Sequence, residues 1–400
     1  MSKIIAHIDL NAFFASAEEI RHPELQGKPL AIGGEGRSGI ISTANYAARK
    51  YGVHSAQPSF QAKACCEDLI ILPPDFDYYV MMSRSFFGRI REFFPLVEMA
   101  SIDEAYVDMT ERLGKNKDPL GFLRRMQNYL KEETGLSCSI GIAPTKWLAK
   151  MGSDLKKPMG LTAIRRKDIE KILYPLSIDN FWGIGKKTAP VLRQLGIQTI
   201  GDLARKLEEN DAATLKTLGK FASTAKDWIE GRGNDSICIE EADQKSISMS
   251  ETLRKNISSP QEGEDVLKSM VVSLSSKLQE SHKVVSTITL TLKDAEFHLH
   301  SKSFTVQTPT NKEQVLYLEA WKLMGECFER LKGKEVRLIG VAFSKMEDEA
   351  RQTVQMSLWN YEDYEALDKT KLLIHDLNRK SGKNQFIRAR EIKEKKNGNR

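Results

Sequence analysis

The hydrophobic pattern at the start of the chain predicts short strands and amphipathic helices in alternation. Residues 4–10 (IIAHIDL) form an apolar run of strand length that ends at Asp9, and AFFASAEEI follows with apolar positions at helical spacing. Residues 97–109 predict two short strands that meet at SIDE, and residues 137–143 predict another strand. Strands interleaved with helices are typical of an α+β domain with one central sheet.

Helical periodicity appears in three more places in this part of the chain. Residues 39–52 predict a strand that turns into a short helix, and residues 121–134 predict an amphipathic helix. A further helix is predicted over residues 145–156, where Pro144 precedes it and Pro158 ends it. These helices supply the apolar faces that a central sheet needs on its surfaces.

The pattern changes after residue 166. Residues 167–235 have helical periodicity and are repeatedly interrupted by glycine, whereas the polar segment 231–248 is the best candidate for a linker. The elements predicted after it are strands at 286–292, 302–308 and 336–343 and a helix over Glu313–Leu331. The sequence therefore predicts a helical domain and then a second α+β domain.

Composition narrows the class of protein. The 400 residues are enough for two to four domains, and 40% hydrophobic with 28% charged residues exclude a largely disordered or coiled-coil chain. No apolar run approaches the roughly 18–20 residues that span a bilayer, so we expect no membrane association. The five cysteines lack CxxC spacing, which argues against a zinc module or disulfide framework and favours a cytoplasmic protein.

The net charge of +6 is concentrated at the C-terminus. Residues 377–400 contain nine Lys or Arg and two Glu, which gives +7 there and leaves −1 for the rest of the chain. A basic arm on a nearly neutral body favours a polyanionic partner or a flexible interaction tail.

Two acidic sites that are distant in the sequence are candidates for metal chemistry. Asp9 ends one predicted strand, and Asp103 and Glu104 lie where two others meet. Adjacent residues of a regular strand point to opposite faces, so both acids can face one site only if the chain turns between them. Three converging carboxylates suit two Mg²⁺ ions about 3.5–4 Å apart. An isolated acidic pair among 54 Asp and Glu residues is more often a solvated strand end.

Five blocks give the sequence a family resemblance. They occur in the order DLNAFFASAEE, ISTANYAARKYGV, SIDEAYVDM, SIGIAPTKWLAKMGSDLKKPMG and FWGIGKKTAPVLRQLGIQTIGDL. Together they resemble the Y-family, translesion DNA polymerases, most closely the bacterial DNA polymerase IV type, over residues 1 to about 345.

The resemblance implies a multidomain α+β protein with the right-hand architecture of a polymerase. Such a protein has a ferredoxin-like palm, small fingers, a helical thumb with a helix-hairpin-helix, and an α+β little finger. The corresponding ranges are palm 1–10 and 75–166, fingers 11–74, thumb 167–235, linker 236–245, little finger 246–346 and a basic C-terminal tail 347–400.

The resemblance also assigns residues to an active site. Asp9, Asp103 and Glu104 match the catalytic metal ligands, with the backbone carbonyl of Leu10 as a further oxygen ligand, and two Mg²⁺ ions are implied. Phe14 matches the steric gate that rejects a 2′-hydroxyl, while Phe13 is expected in the core.

Phosphate contacts are implied by the same blocks. The triphosphate contacts are Thr43, Tyr46, Arg49 and Lys157, and Ser101 matches a small residue beside the acids. Because Tyr46 and Arg49 are three apart on a predicted helix, they share a face, and arginine offers several donors to phosphate. Asn11 departs from the family, which often has an acid there; that acid is not a side-chain metal ligand, so we expect activity to survive.

The GIGKK segment suits DNA binding by a helix-hairpin-helix. Gly183 and Gly185 let the backbone approach a phosphate, and Lys186 and Lys187 add positive charge without reading sequence. Lys187 stands where a Walker A motif needs Ser or Thr, which excludes a P-loop ATPase. A plain turn is the alternative interpretation of an isolated GxG.

A short segment near the C-terminus resembles the pentapeptide that binds the bacterial sliding clamp. It consists of Gln355, Met356, Ser357, Leu358 and Trp359. Leu and Trp anchors in a polar region suit docking into a hydrophobic groove. The alternative is a tail that folds back on its own domain.

The sequence thus predicts a monomeric, template-directed DNA polymerase that binds primer-template DNA and a dNTP. The family implies low processivity, no proofreading and synthesis past damaged bases. Two rivals stay open at this point: a nucleotidyl cyclase on a similar palm, which would act without a template, and a non-catalytic DNA-binding scaffold.

Overall fold

A computed structural model describes residues 3–239 and 243–351 of the chain. The chain divides into two compact units, Met1–Ala242 and Asp243–Arg400. The predicted clamp-binding segment 355–359 lies outside the described residues. In the part that the structure describes, no helix is long and apolar enough to cross a membrane.

The strands form three sheets. They are β1 Ile5–Leu10, β2 Leu30–Gly33, β3 Ile41–Ala44, β4 Ile70–Leu72, β5 Val97–Met99, β6 Glu104–Asp108, β7 Cys138–Ala143, β8 Leu161–Ala163, β9 Ser246–Ile257, β10 Lys283–Asp294, β11 Leu299–Thr310 and β12 Val336–Asp348. The first unit has a five-stranded sheet in the order β5-β6-β1-β7-β8 and a three-stranded sheet in the order β3-β2-β4, and the second unit has a four-stranded sheet in the order β11-β10-β12-β9.

Helices separate and cover these strands. They are α1 Phe13–Arg21, α2 Tyr46–Arg49, α3 Ser59–Cys65, α4 Phe76–Phe93, α5 Thr110–Gly114, α6 Pro119–Thr134, α7 Lys146–Asp154, α8 Ile169–Ile172, α9 Thr188–Gln194, α10 Ile200–Glu208, α11 Ala212–Leu218, α12 Phe221–Ile229, α13 Glu264–Glu280 and α14 Glu313–Leu331. The predicted helix Glu313–Leu331 is therefore confirmed residue for residue.

The first strand is the centre of the five-stranded sheet. All six residues of β1 are buried, and it pairs antiparallel with β6 on one side and β7 on the other. Apolar cores cover both faces of this sheet, which is why β1 reads as a continuous apolar run instead of an alternating one. The register pairs Asp9 with Glu104 and, across the other neighbour, with Ser139.

The longest helix of the first unit, α4, has no counterpart in the sequence prediction. Asp75 caps its start, because its side chain accepts a hydrogen bond from the backbone N–H of Tyr78. Buried aromatic side chains follow at helical spacing and pack on the face of the sheet that carries α6; the largest are Tyr79, Phe86 and Phe87. These aromatic residues are thus the core contacts of the helix.

Helices α8 to α12 follow the sheet without a break in the apolar core. Trp147 of α7 lies in the same buried cluster as Phe181 and Leu192 of the helical segment. A capping box starts α10: the Thr199 side chain accepts from the backbone N–H of Asp202, whose carboxylate accepts in return from the backbone N–H of Thr199. The predicted helical character of residues 167–235 is confirmed.

The second unit confirms the predicted second α+β domain. Helices α13 and α14 pack their apolar faces against the four-stranded sheet in one cluster. The strands are longer than predicted, since β10 spans Lys283–Asp294 where the alternating pattern marks only 286–292. Strand β9 and helix α13 have no counterpart in the sequence prediction; β9 is an edge strand in which six of the twelve residues are exposed and three are buried.

Candidate active site

One cleft of about 250 Å³ brings together every residue for which the resemblance implies a metal, gate or triphosphate role. Its walls come from the end of β1, the start of α1, β3 with α2, the turn before β6, and the segment after α7. The lining residues are Asp9, Leu10, Ala12, Phe13, Phe14, Ser42, Thr43, Tyr46, Arg49, Ser55, Asp103, Glu104 and Lys157.

The two acidic sites meet at the paired ends of β1 and β6. Asp9 and Glu104 are register partners, and Asp103 occupies the turn immediately before β6. A hydrogen bond of 3.0 Å from the backbone N–H of Leu10 to the carbonyl of Asp103 holds Asp103 beside the end of β1, and the backbone N–H groups of Ala100 and Ser101 close the turn on the carbonyl of Glu104. Both adjacent acids therefore lie at the junction of this turn with β6, next to Asp9.

The oxygens of the three carboxylates do not surround one common position. Ser101 Oγ donates a hydrogen bond of 2.6 Å to Asp103 Oδ1 and holds that side chain beside the turn. Among the residues that the structure describes, the ligand oxygens of Asp9, Asp103 and Glu104 do not all lie within 4.8 Å of one another. A cation held by all three requires the Asp103 side chain to rotate.

Lys150 is a site residue that the sequence analysis missed. Its side chain is only 9% exposed, and its Nζ lies 2.7 Å from Glu104 Oε1 and 3.2 Å from Asp9 Oδ2. Asp154, one turn later on α7, contacts the same ammonium at 3.2 Å. The buried ammonium supplies positive charge between Asp9 and Glu104, as a bound metal cation would. These two acids therefore have the arrangement that a cation site needs.

The pKa values of Asp9 and Glu104 are shifted in opposite directions. Burial raises the pKa of Asp9 to about 7, with the neighbouring Glu104 adding to this effect and the Lys157 ammonium opposing it. Burial also acts on Glu104, but its interactions with His7, Asp9 and Lys150 outweigh it and hold the pKa of Glu104 well below its ordinary value. The pair therefore favours a charged Glu104.

His7 contacts Glu104 from within the buried strand β1. It is fully buried, its ring lies 4.8 Å from that of Tyr106, and its Nδ1 is 2.8 Å from Ser153 Oγ. Its Nε2 faces Glu104 Oε2 at 3.7 Å and has no hydrogen-bond partner among the described residues. Burial lowers the pKa of His7. A histidine inside an otherwise apolar strand was the sequence signal for this contact.

We expect Lys150→Met to destabilise the metal-free protein. Removing one partner of a buried ion pair costs about 3–5 kcal/mol, and the lower value applies here because Lys157 still contacts Asp9 at 2.6 Å. Thermal unfolding with and without Mg²⁺ measures the effect, and added Mg²⁺ recovers part of the loss. The exposed Lys156→Met is the matched control. A Lys150→Met protein that unfolds like wild type without metal contradicts this account.

Phe14 lies on the cleft wall with an aromatic support behind it. Its ring stacks on that of Tyr79 at 4.4 Å and 14°, and Phe76 meets it edge-on at 5.9 Å. Tyr79 is fully buried and donates a hydrogen bond of 2.9 Å to Glu18 Oε1, which fixes the stack. Phe13 is buried in the core as expected.

The predicted phosphate-binding residues line the opposite wall. Asn45 caps α2 by accepting from the backbone N–H of Ala48, which places Tyr46 and Arg49 on one face, with the Arg49 guanidinium 4.9 Å from the Tyr46 ring centre. The Tyr46 hydroxyl is buried and has no hydrogen-bond partner in the described part of the chain. Lys157 contacts Asp9 at 2.6 Å and Asp154 at 2.8 Å.

Asn11, where the sequence departs from the family pattern, links the cleft to the segment that carries Lys157. Its Oδ1 accepts from the backbone N–H of Met159 at 2.9 Å, and its Nδ2 donates to Ser139 Oγ at 2.9 Å. Asn11 is buried, so this side chain acts through packing and hydrogen bonds instead of at the cleft surface.

The GIGKK segment lies away from the cleft, before α9. Gly183, Gly185, Lys186 and Lys187 are all exposed. Gly183 has φ of +112°, and a Cβ there would lie 2.7 Å from the Phe221 ring, so glycine is required. The carbonyl of Gly185 accepts from the first backbone N–H of α9.

Three family models match the chain in sequence order. The impB/mucB/samB family matches residues 8–154, the IMS family HHH motif matches residues 166–197, and the impB/mucB/samB family C-terminal domain matches residues 244–358. The chain belongs to this family, the Y-family DNA polymerases. The resemblance inferred from the five sequence blocks is confirmed.

Curated relatives agree with this assignment over nearly the whole chain. DNA polymerase IV of Oceanobacillus iheyensis is 36% identical over 384 residues, which cover 96% of this chain and 90% of that protein. DNA polymerase IV 1 of Bacillus subtilis is 36% identical over 383 residues, which cover 95% and 91%. This Y-family chain is therefore a DNA-directed DNA polymerase of the translesion class.

Solved structures share the fold. A chimera of the Y-family DNA polymerases Dbh and Dpo4 matches with a TM-score of 0.77 at 28% identity, covering 86% of this chain and 99% of that one. A post-insertion binary complex of Dbh DNA polymerase matches with a TM-score of 0.58 at 29% identity over 86% and 99%. The predicted polymerase fold is confirmed, and divalent metal use is general in this family.

Proposed function

We propose that the cleft at the ends of β1 and β6 is the catalytic centre of this polymerase. It joins a primer 3′-hydroxyl to the α-phosphate of a dNTP and releases pyrophosphate. The observation that carries the proposal is the convergence of Asp9, Asp103 and Glu104 with the gate and phosphate-binding residues in one cleft. The alternative of solvated strand ends does not account for a buried Asp9 and a buried Lys150.

The carboxylates suit a pair of Mg²⁺ ions. Their donor set is oxygen only, as a hard cation prefers, and the Leu10 carbonyl belongs to the same cleft wall. When bound, two such ions supply activation of the attacking hydroxyl and neutralisation of the leaving phosphate. Asp9 and Glu104 hold their positions through Lys150, and Asp103 is free to reorient once it leaves Ser101.

The remaining walls orient the nucleotide. Arg49 presents a fork of donors to phosphate oxygens, and the hydroxyls of Thr43 and Tyr46 add further donors. The unpartnered Tyr46 hydroxyl supports this role, because a buried hydroxyl without a partner among the described residues is costly unless a ligand completes it. Lys157 contributes a mobile positive charge, and Phe14 occupies the volume that a 2′-hydroxyl needs.

We assign DNA contact outside the cleft to the GIGKK turn. The exposed Gly183 and Gly185 backbone and the charges of Lys186 and Lys187 suit phosphate binding without sequence readout. The helix-hairpin-helix match over residues 166–197 supports this assignment. Primer-template DNA is the corresponding partner, and the fold shared with the binary complex of Dbh DNA polymerase supports it.

The domain division implied by the resemblance is retained as a proposal. The palm comprises 1–10 and 75–166, which include the five-stranded sheet, and the fingers comprise 11–74, which include the three-stranded sheet. The thumb is 167–235 with helices α8 to α12. After a linker at 236–245, the little finger is 246–346, followed by the tail 347–400. We propose a cytoplasmic monomer.

Single-nucleotide primer extension tests this function. The protein is given a primed template, Mg²⁺ and each dNTP separately, beside a reaction without template. Addition of the template-directed nucleotide, and no turnover without template, is the expected result. Nucleotide turnover without template would instead favour the cyclase rival, and tight DNA binding without incorporation would favour the scaffold.

We propose that Gln355, Met356, Ser357, Leu358 and Trp359 bind the bacterial sliding clamp. The double variant Leu358→Ala/Trp359→Ala removes both apolar anchors, so it should lose stimulation by the clamp and keep its distributive synthesis. Tethering raises the local concentration of the polymerase at the primer, and its loss lowers clamp-dependent synthesis by about 10²-fold or more. Primer extension with and without loaded clamp measures this. Stimulation that persists in the variant shows that the clamp binds elsewhere.

A further inference from the structure

A second cluster of metal-ligating side chains lies in the other unit, at the turn that joins β10 to β11. It contains Asp294, Glu296, His298 and His300, which occupy alternate positions of the chain. The ligand atoms of the first three lie within 4.8 Å of one another. Among the residues described, this is the only group of three or more acidic, histidine or cysteine side chains with that spacing.

A buried carboxylate is the centre of the cluster. The Asp294 side chain is 1% exposed, and its Oδ1 accepts the backbone N–H of His298 at 2.8 Å, which fixes the carboxylate in the turn. Its other oxygen, Oδ2, faces His298 Nδ1 at 3.3 Å and His300 Nε2 at 3.1 Å. Two imidazoles from different positions are therefore directed at one fixed carboxylate oxygen.

Three of the separations in this cluster are compatible with ligands of one tetrahedral ion. Zinc bonds of about 2.0–2.2 Å to nitrogen and oxygen place neighbouring ligand atoms about 3.3–3.6 Å apart. The observed separations are 3.3 Å between Asp294 and His298, 3.4 Å between His298 and Glu296, and 3.1 Å between Asp294 and His300. Asp294, Glu296 and His298 have ligand atoms within 4.8 Å of one another, and His300, which contacts Asp294, must move closer to the other two to complete a four-ligand site.

The donor chemistry selects the class of ion. Imidazole nitrogen suits zinc and its neighbours in the transition series, whereas Mg²⁺ prefers oxygen ligands and water. We propose that Asp294, Glu296, His298 and His300 form a binding site for a divalent transition-metal ion, with Zn²⁺ as its test ion, that pins the β10–β11 hairpin. This site is separate in chemistry from the all-oxygen set at Asp9, Asp103 and Glu104.

The Lys334 ammonium competes with a metal cation for the carboxylates of this site. Its Nζ lies 2.7 Å from Glu296 Oε2 and 3.7 Å from Asp294 Oδ2, so it already neutralises both acids. A cation bound by the carboxylates must displace or repel this ammonium. Lys334→Met therefore raises the affinity for Zn²⁺, opposite in sign to the loss of a ligand.

Zn²⁺ titration of the full chain in excess Mg²⁺ tests the site. Mg²⁺ occupies the all-oxygen cleft, and calorimetry then reports the nitrogen-containing site. Wild type should bind one more Zn²⁺ per chain than the double variant His298→Ala/His300→Ala. Loss of an outer partner costs about 10–100-fold in metal affinity, and loss of two ligands should cost at least as much. Amide hydrogen exchange at residues 294–300 should slow when Zn²⁺ is added to wild type.

The matched control is His22→Ala. His22 is partly exposed and also lies between two carboxylates, but Glu18 and Glu24 face different nitrogens of its ring, at 3.8 and 3.4 Å, so the three do not chelate one ion. It should bind Zn²⁺ like wild type. Primer extension in Mg²⁺ checks that the double variant is folded, because an unfolded chain would not extend a primer.

Equal Zn²⁺ stoichiometry and affinity in wild type and the double variant would overturn the proposal. Unchanged affinity in Lys334→Met would also overturn it, and this second variant retains every ligand if the double variant does not fold.

Discussion

Asp103→Asn should abolish template-directed incorporation and leave DNA binding intact. Asparagine keeps the size of the side chain but removes its charge, and a neutral amide is a poor ligand for a hard dication. Metal-ion catalysis contributes several kcal/mol of charge stabilisation, and each 1.36 kcal/mol is a factor of about ten. We therefore expect the single-turnover rate to fall by about 10³-fold or more, with little change in the dissociation constant for primer-template DNA.

The control for this variant is Asp77→Asn. Asp77 is exposed in the first turn of α4 and does not line the cleft. It should extend primers like wild type. Near-wild-type incorporation by Asp103→Asn would remove Asp103 from the metal site, whereas loss of DNA binding together with incorporation would show a structural role for this turn.

Phe14→Ala should admit ribonucleotides. The Phe14 ring forms the cleft wall and is held in place by Tyr79 behind it at 4.4 Å, so it cannot retreat from an added 2′-hydroxyl. Inserting an extra group into a packed site costs about 1–3 kcal/mol, which corresponds to about 5- to 150-fold in selectivity. The ratio of kcat/KM for a dNTP to that for the matching ribonucleotide should fall by this factor, and the dNTP reaction should persist.

The exposed aromatic Phe60 provides the comparison. Phe60 is 68% exposed on α3 and does not line the cleft, so Phe60→Ala should keep the sugar selectivity of wild type. Unchanged selectivity in Phe14→Ala would mean that another group excludes the 2′-hydroxyl.

The family resemblance named the cleft residues, and the structure brings them together in one cleft because each lies in a short block with a defined local structure. Asp9 ends a strand that is largely apolar, and Tyr46 and Arg49 are three apart on a helix; these are properties of neighbouring residues. The turn between Asp103 and Glu104 was predicted as a requirement, and the antiparallel register of β1 and β6 supplies it.

Contacts between residues that are distant in the sequence could not be predicted from local patterns. Lys150 stands within a block used for the family resemblance, but its partners Asp9 and Glu104 lie 141 and 46 positions away. Its helix gave no sign that an ammonium on it would be buried. The Phe14–Tyr79 stack depends likewise on α4, a helix that the sequence analysis did not predict.

In the second unit, the edge strand β9 and the β10–β11 turn likewise could not be predicted from local patterns. Strand β9 pairs with β12 through its backbone, and only three of its twelve residues are buried, so alternation of apolar residues marks it only weakly. Only the hairpin brings His298 and His300 onto one carboxylate.

The most direct test of the catalytic centre is a crystal of the full chain with a dideoxy-terminated primer-template, the matching dNTP and Mn²⁺ in place of Mg²⁺. Anomalous scattering locates Mn²⁺ independently of the protein. We expect two peaks about 3.5–4 Å apart, bonded to Asp9, Asp103 and Glu104, with Asp103 turned away from Ser101. A single peak, or peaks that none of these three carboxylates contacts, would contradict the assignment of this cleft as a two-metal polymerase site.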